Sequence, residues 1–179
     1  FGAGGRESID TSTWIKCKSS EVIDVMLSVE PVPFNKGFFA VDLTFYFRVN
    51  FSAYATQVST PINVRGLAFH SKKVILYGSE GSVKTFCSGG SLPASDLPTA
   101  CVKAVDPIVL GSRIVDCVPA YSEPLGAIPD VVNRAFDDDM RNIIIDASEK
   151  TVLVTLGLFT IVTLQRDVQI MIPAYDYVL

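Results

Sequence analysis

Between Phe38 and Tyr54 the chain alternates: Val41, Leu43, Phe45, Phe47, Val49 and Phe51 interleave with Asp42, Thr44, Tyr46, Arg48, Asn50 and Ser52. Successive side chains of a strand point to opposite faces, so a period of two predicts a strand with one buried and one polar face. At about 3.3 Å per residue the run would span roughly 50 Å or more, which predicts a bend or bulge near Asn50 or Ser52.

The rest of the chain carries the same strand signal in shorter pieces. Residues 21–29 read as a strand, followed by turn chemistry: Pro31 and Pro33 cannot join a ladder, and Asn35 and Gly37 accept positive φ. Strands are expected over 62–70 and 73–77, the second turning through Gly78 and Gly81 into 82–86 as a short-loop hairpin. Residues 87–98 read as an exposed loop, and strands resume over 99–105 and 108–117, broken by Asp106 and Pro107. The single helical signal is 129–136, with Pro129 and Asp130 at its front.

From 150 to 172 both faces are apolar, with Val152, Val154, Leu156 and Leu158 on one and Leu153, Phe159 and Ile161 on the other. Such a strand is expected to be buried on both sides, in a sandwich centre or at an interface. Gly157 is expected to mark a bulge or crossover, and residues 165–167 a turn before a last strand over 168–172. Residues 1–12, rich in Gly and Ser and without a period, read as a flexible amino-terminal arm that orders on contact with a neighbour. The sum is eight to ten strands and one short helix. It predicts an all-β, two-sheet β-sandwich-like domain over 13–179.

Composition adds a second theme. Of 179 residues 49% are hydrophobic and 19% charged, against about 25% charged in an ordinary soluble domain. Apolar surface beyond what one core buries has to be covered by other protein, so assembly is the default expectation. No membrane span is expected. The most apolar stretch, 152–164, is interrupted by Thr155, Gly157, Thr160 and Thr163, and Gln165, Arg166 and Asp167 follow it. A formal charge of −4, with fifteen scattered Lys and Arg, argues against nucleic acid as a partner.

Candidate chemistry is sparse. His70 is the only histidine, so any nucleophile pair would have to be built around it. Asp137, Asp138 and Asp139 lack the spacing of a calcium loop and read as a solvated acidic patch. Gly78 and Gly81 are followed by neither the Lys-Ser or Lys-Thr pair nor the helix of a phosphate loop. Four cysteines, Cys17, Cys87, Cys101 and Cys117, include no CxxC pair and make a poor zinc set. They allow three disulfide pairings if all are oxidised, and buried free thiols fit equally well. Phe34, Phe38, Phe39, Phe45, Phe47 and Phe51 could in principle line a lipid or carbohydrate pocket, but they read first as ordinary sandwich core. No catalytic, cofactor-binding or metal-binding residues are assigned, and no enzyme is expected.

The phrases Arg6–Asp10, Ser20–Val25, Val29–Gly37, Lys73–Gly81, Val105–Gly111 and Thr155–Val162 together resemble a group of spore outer-coat layer proteins of clostridia, and the resemblance covers nearly the whole chain. It implies a non-enzymatic building block of a spore surface layer or extracellular appendage, whose partners are copies of itself and other coat proteins. Members of that group carry more cysteines in the loops matching residues 87–101 and 112–129, so extensive disulfide cross-linking is not implied here. The rival expectation is a ligand- or carbohydrate-binding β-sandwich module.

Overall fold

The computed structural model describes residues 5–56, 58–80, 97–116, 128–135, 150–168 and 170–173. In chain order the elements are α1 (Gly5–Asp10), β1 (Trp14–Pro31), β2 (Phe38–Tyr54), β3 (Ile62–Tyr77), β4 (Thr99–Ala104), β5 (Ile108–Asp116), α2 (Asp130–Ala135), β6 (Lys150–Gly157) and β7 (Thr160–Gln165). Strands dominate, as the alternation predicts. They form three ladders: β1-β2-β3, β4-β7 and β5-β6.

β2 is the middle strand of the first ladder, and its odd residues from Val41 to Ala53 are all buried. Each large apolar side chain there contributes about 1.5–3 kcal/mol by leaving water, so this face dominates the core. The even residues of β2 share a face with the odd residues of β3. The Thr44 and Ser71 hydroxyls bond at 3.0 Å, Asp42 pairs with Lys73 at 3.2 Å, and the Phe38 and Tyr77 rings meet edge to face.

The chain divides into two compact units, one of Phe1–Met26, Thr44–Lys72 and Lys103–Ile161, the other of Leu27–Leu43, Lys73–Val102 and Val162–Leu179. The sequence predicts a single domain, and the long strands β1, β2 and β3 each contribute residues to both units. In the first unit α2 lays Val132 on Tyr46, beside Ile23, Leu67, Ile128 and Ala135. Arg48 closes that helix by donating to the Ala135 carbonyl at 3.0 Å while pairing with Glu21. β5 runs antiparallel to β6, from Ile108 opposite Gly157 to Asp116 opposite Lys150, with Leu110 as the extra residue of a bulge.

Several expectations are corrected. Residues 5–10 are helical rather than an arm without structure, and Ile9 and Ser12 are buried. The Lys150 ammonium donates to the Asp10 and Ser12 carbonyls at 2.7 and 2.9 Å, satisfying backbone groups that a helix end leaves unpaired. β3 is one strand of 16 residues rather than two, because an edge strand accommodates the polar run His70–Lys73 without burying it. Residues 168 and 170–172 lie outside any strand. The hairpin strand expected over 82–86 and the acidic run 137–139 lie outside the described residues.

Candidate assembly surface

The residues singled out for chemistry do not converge. His70 is exposed in the middle of β3. Cys17 carries a free thiol on β1, and burial pushes its pKa up, against a smaller lowering from a backbone hydrogen bond at Ser19. Cys101, also a free thiol, sits on β4 with its sulfur 3.6 Å from Gln165 Oε1. Cys87 and Cys117 lie outside the described residues. Among the described residues no three His, Cys, Asp or Glu side chains gather as a metal site would need, and no helix is long and apolar enough to cross a membrane. Gly78 is a turn residue: its N–H donates to the Gly37 carbonyl at 2.8 Å, tying the end of β3 to the β1–β2 turn.

What the fold does display is apolar surface. Among the described residues fourteen apolar side chains are buried, while twenty-one large ones are exposed. Exposed apolar side chains that lie next to one another are candidates for a contact surface. In the first unit the exposed set is densest where β4 turns into β5 and β6 into β7. Val105 donates its N–H to the Phe159 carbonyl, Ile108 lies opposite Gly157, and Leu110 bulges over Gly157. Val105, Ile108, Leu110, Phe159 and Ile161 are all more than half exposed. The sequence-based expectation that residues near 159–161 are buried on both faces therefore does not hold within one chain.

In the second unit the β1–β2 turn lifts Phe34 fully into solvent at φ 63°, a backbone region that costs a bulky residue of order 1 kcal/mol. The exposed Phe38 and Tyr77 rings meet edge to face with their centroids 5.2 Å apart. Beyond β7, Arg166 rests over the Phe39 ring at 5.5 Å. Val168, Ile170, Met171 and Ile172 follow at 64–95% exposure.

The two edges of the three-stranded sheet differ. On β1 the Cys17 N–H donates to Ser112 Oγ at 3.1 Å, and that hydroxyl lies 3.4 Å from the Ile15 carbonyl. Farther along, Ser20 Oγ donates to the Pro107 carbonyl and the Val22 N–H donates to Asp106. Edge groups that would otherwise invite a strand are thus occupied by side chains of the β4–β5 segment. The outer edge of β3 has no ladder partner among the described residues. Sequence reasoning took Asp106 and Pro107 only as a strand break and missed Ser112, because a side chain bonding to a distant backbone leaves no periodic signal.

No family model matches the chain, and neither a curated protein nor a solved structure matches it.

Proposed function

We propose that the chain is a structural protein: an all-β, sandwich-like subunit that associates with copies of itself into a layer or filament outside the cell. The observation that carries this reading is that, among the described residues, exposed large apolar side chains outnumber buried ones on a strand scaffold whose β3 edge has no ladder partner. Heterologous contacts between such surfaces propagate into open arrays. The resemblance to spore outer-coat layer proteins makes the spore surface the place of assembly and other coat proteins the further partners. No catalytic step is assigned to any residue.

The test is sedimentation velocity across a concentration series, with electron microscopy of the most concentrated sample. Mass that grows with concentration, and ordered sheets or filaments, support assembly. A monomer at every concentration overturns it. The exposed Phe34, Phe38 and Tyr77 rings favour a second reading, a carbohydrate-binding module, since flat apolar faces stack on sugar rings. A monomer that binds glycans and loses them on Tyr77→Ala would establish that reading in place of the first.

A further inference from the structure

The segment beyond β7 has the makings of a strand but no ladder. Val168, Ile170 and Ile172 stand at alternate positions, all β-branched and 64–79% exposed, with Met171 between the last two at 95%. β-branched residues at every second position favour extended backbone, and extended backbone left unpaired presents a row of donors and acceptors. The β3 edge lacks just such a row of partners among the described residues. Each therefore offers what the other needs, provided side chains and charges agree in register.

They agree in one antiparallel register. On β3, Leu67, Phe69 and Ser71 share the face that carries α2, where Leu67 packs against the Tyr46 and Val132 cluster and Ser71 bonds Thr44. Phe69 on that face is left 37% exposed. Lys72 lies on the opposite face and, like Asp167, has no ion-pair partner among the described residues. Setting Asp167 opposite Lys72 places Val168 beside Ser71, Ile170 beside Phe69 and Ile172 beside Leu67, all on the α2 face. Within its own chain the Arg166 guanidinium rests over the Phe39 ring. This register leaves Val74–Tyr77 free for the hairpin partner that the sequence expects over 82–86.

We propose that the Asp167–Ile172 segment of one copy adds as an antiparallel strand to the Leu67–Lys72 edge of β3 in a second copy. The inference rests on the self-assembly reading and names the contact through which it operates. Strand addition of this kind draws its affinity from main-chain hydrogen bonds, its specificity from alternate side chains and its choice of partner from charge.

The experiment is sedimentation velocity of the full chain and four variants: Ile170→Lys, Asp167→Lys, Lys72→Asp and the double reversal Asp167→Lys with Lys72→Asp. Circular dichroism melts confirm that each is folded. Ile170→Lys should abolish association. Each single reversal should raise the midpoint concentration about three- to tenfold, and the double reversal should bring it back toward wild type. Assembly that is unchanged in Ile170→Lys, or single reversals whose effects simply add in the double, overturns this contact and leaves self-assembly standing. A wild-type chain that stays monomeric overturns both.

Discussion

Ile9 is the residue whose replacement separates a docked helix from a loose arm. It is 1% exposed, on a helix of only six residues. An isolated helix that short is unstable in water, so α1 exists through its contacts: the Ile9 side chain and the Lys150 bonds to the Asp10 and Ser12 carbonyls. Truncating a buried Ile to Ala removes transfer free energy and leaves a cavity, together about 2–5 kcal/mol. Taking about 3 kcal/mol, and about 2–4 °C of Tm per kcal/mol for a chain of this size, Ile9→Ala should lower Tm by roughly 6–12 °C. The assay is thermal unfolding followed by circular dichroism, with guanidinium titration as a second probe. Deleting residues 1–12 should cost at least as much, since it removes Ile9 together with both carbonyls. Loss of filaments on that deletion would then report lost stability as well as any lost contact. A Tm within about 1 °C of wild type for Ile9→Ala, and for the deletion, would refute the reasoning and return these residues to the status of an arm.

Further outcomes are expected at four positions. Gly78→Ala would place its Cβ 2.9 Å from the Phe39 ring and 3.0 Å from Leu164 Cδ1, and should cost about 1–3 kcal/mol in denaturant titration. Ser112→Ala strips the Cys17 N–H of its acceptor; it should cost about 1–3 kcal/mol and increase aggregation as the β1 edge opens. The Cys17 thiol, its pKa raised by burial, should alkylate more slowly in the folded than in the urea-unfolded chain, as read by mass spectrometry at that site. Because the raised pKa favours the protonated thiol in the fold, its stabilising contribution is complete below the unfolded thiol range and is lost as pH rises through the folded value; Cys17→Ser should flatten that fall. Phe34→Gly releases a positive φ without removing a buried contact, so the melt should hold or gain up to about 1 kcal/mol.

The legible parts of the chain are those where one local pattern meets one environment. β2 was readable because alternation and burial coincide along its odd positions, although Tyr46 and Ser52 of the other face are buried too and the strand runs through the expected bend, and α2 because Pro129 and Asp130 open it and Val132 anchors it. α1 was not, because a single apolar Ile9 in a Gly- and Ser-rich stretch shows no period, and the lysine that fixes the helix lies 140 positions away. The polar run His70–Lys73 looked like a break between strands, yet on an edge strand those side chains need no burial. The apolar run from 150 onward admitted either a sandwich centre or an interface. Composition cannot say which of its residues stay exposed, and the structure assigns that exposure to Phe159, Ile161 and the residues from Val168 onward.

Under the proposed self-assembly, the two sheet edges would make association selective. An incoming strand at β1 would first have to displace Ser112 and Asp106 from the backbone groups they hold, at a cost near that of leaving those groups unsatisfied, about 1–3 kcal/mol each. At β3 nothing has to be displaced among the described residues, and the barrier is electrostatic. Two β3 edges approaching each other bring Lys72 and Lys73 of one copy against those of the other, which disfavours symmetric edge pairing. A strand led by Asp167 meets the same lysines as attraction. In the proposed assembly the charges that disfavour one mode would therefore select another, in which unlike surfaces meet, and contacts between unlike surfaces extend an array instead of closing a dimer.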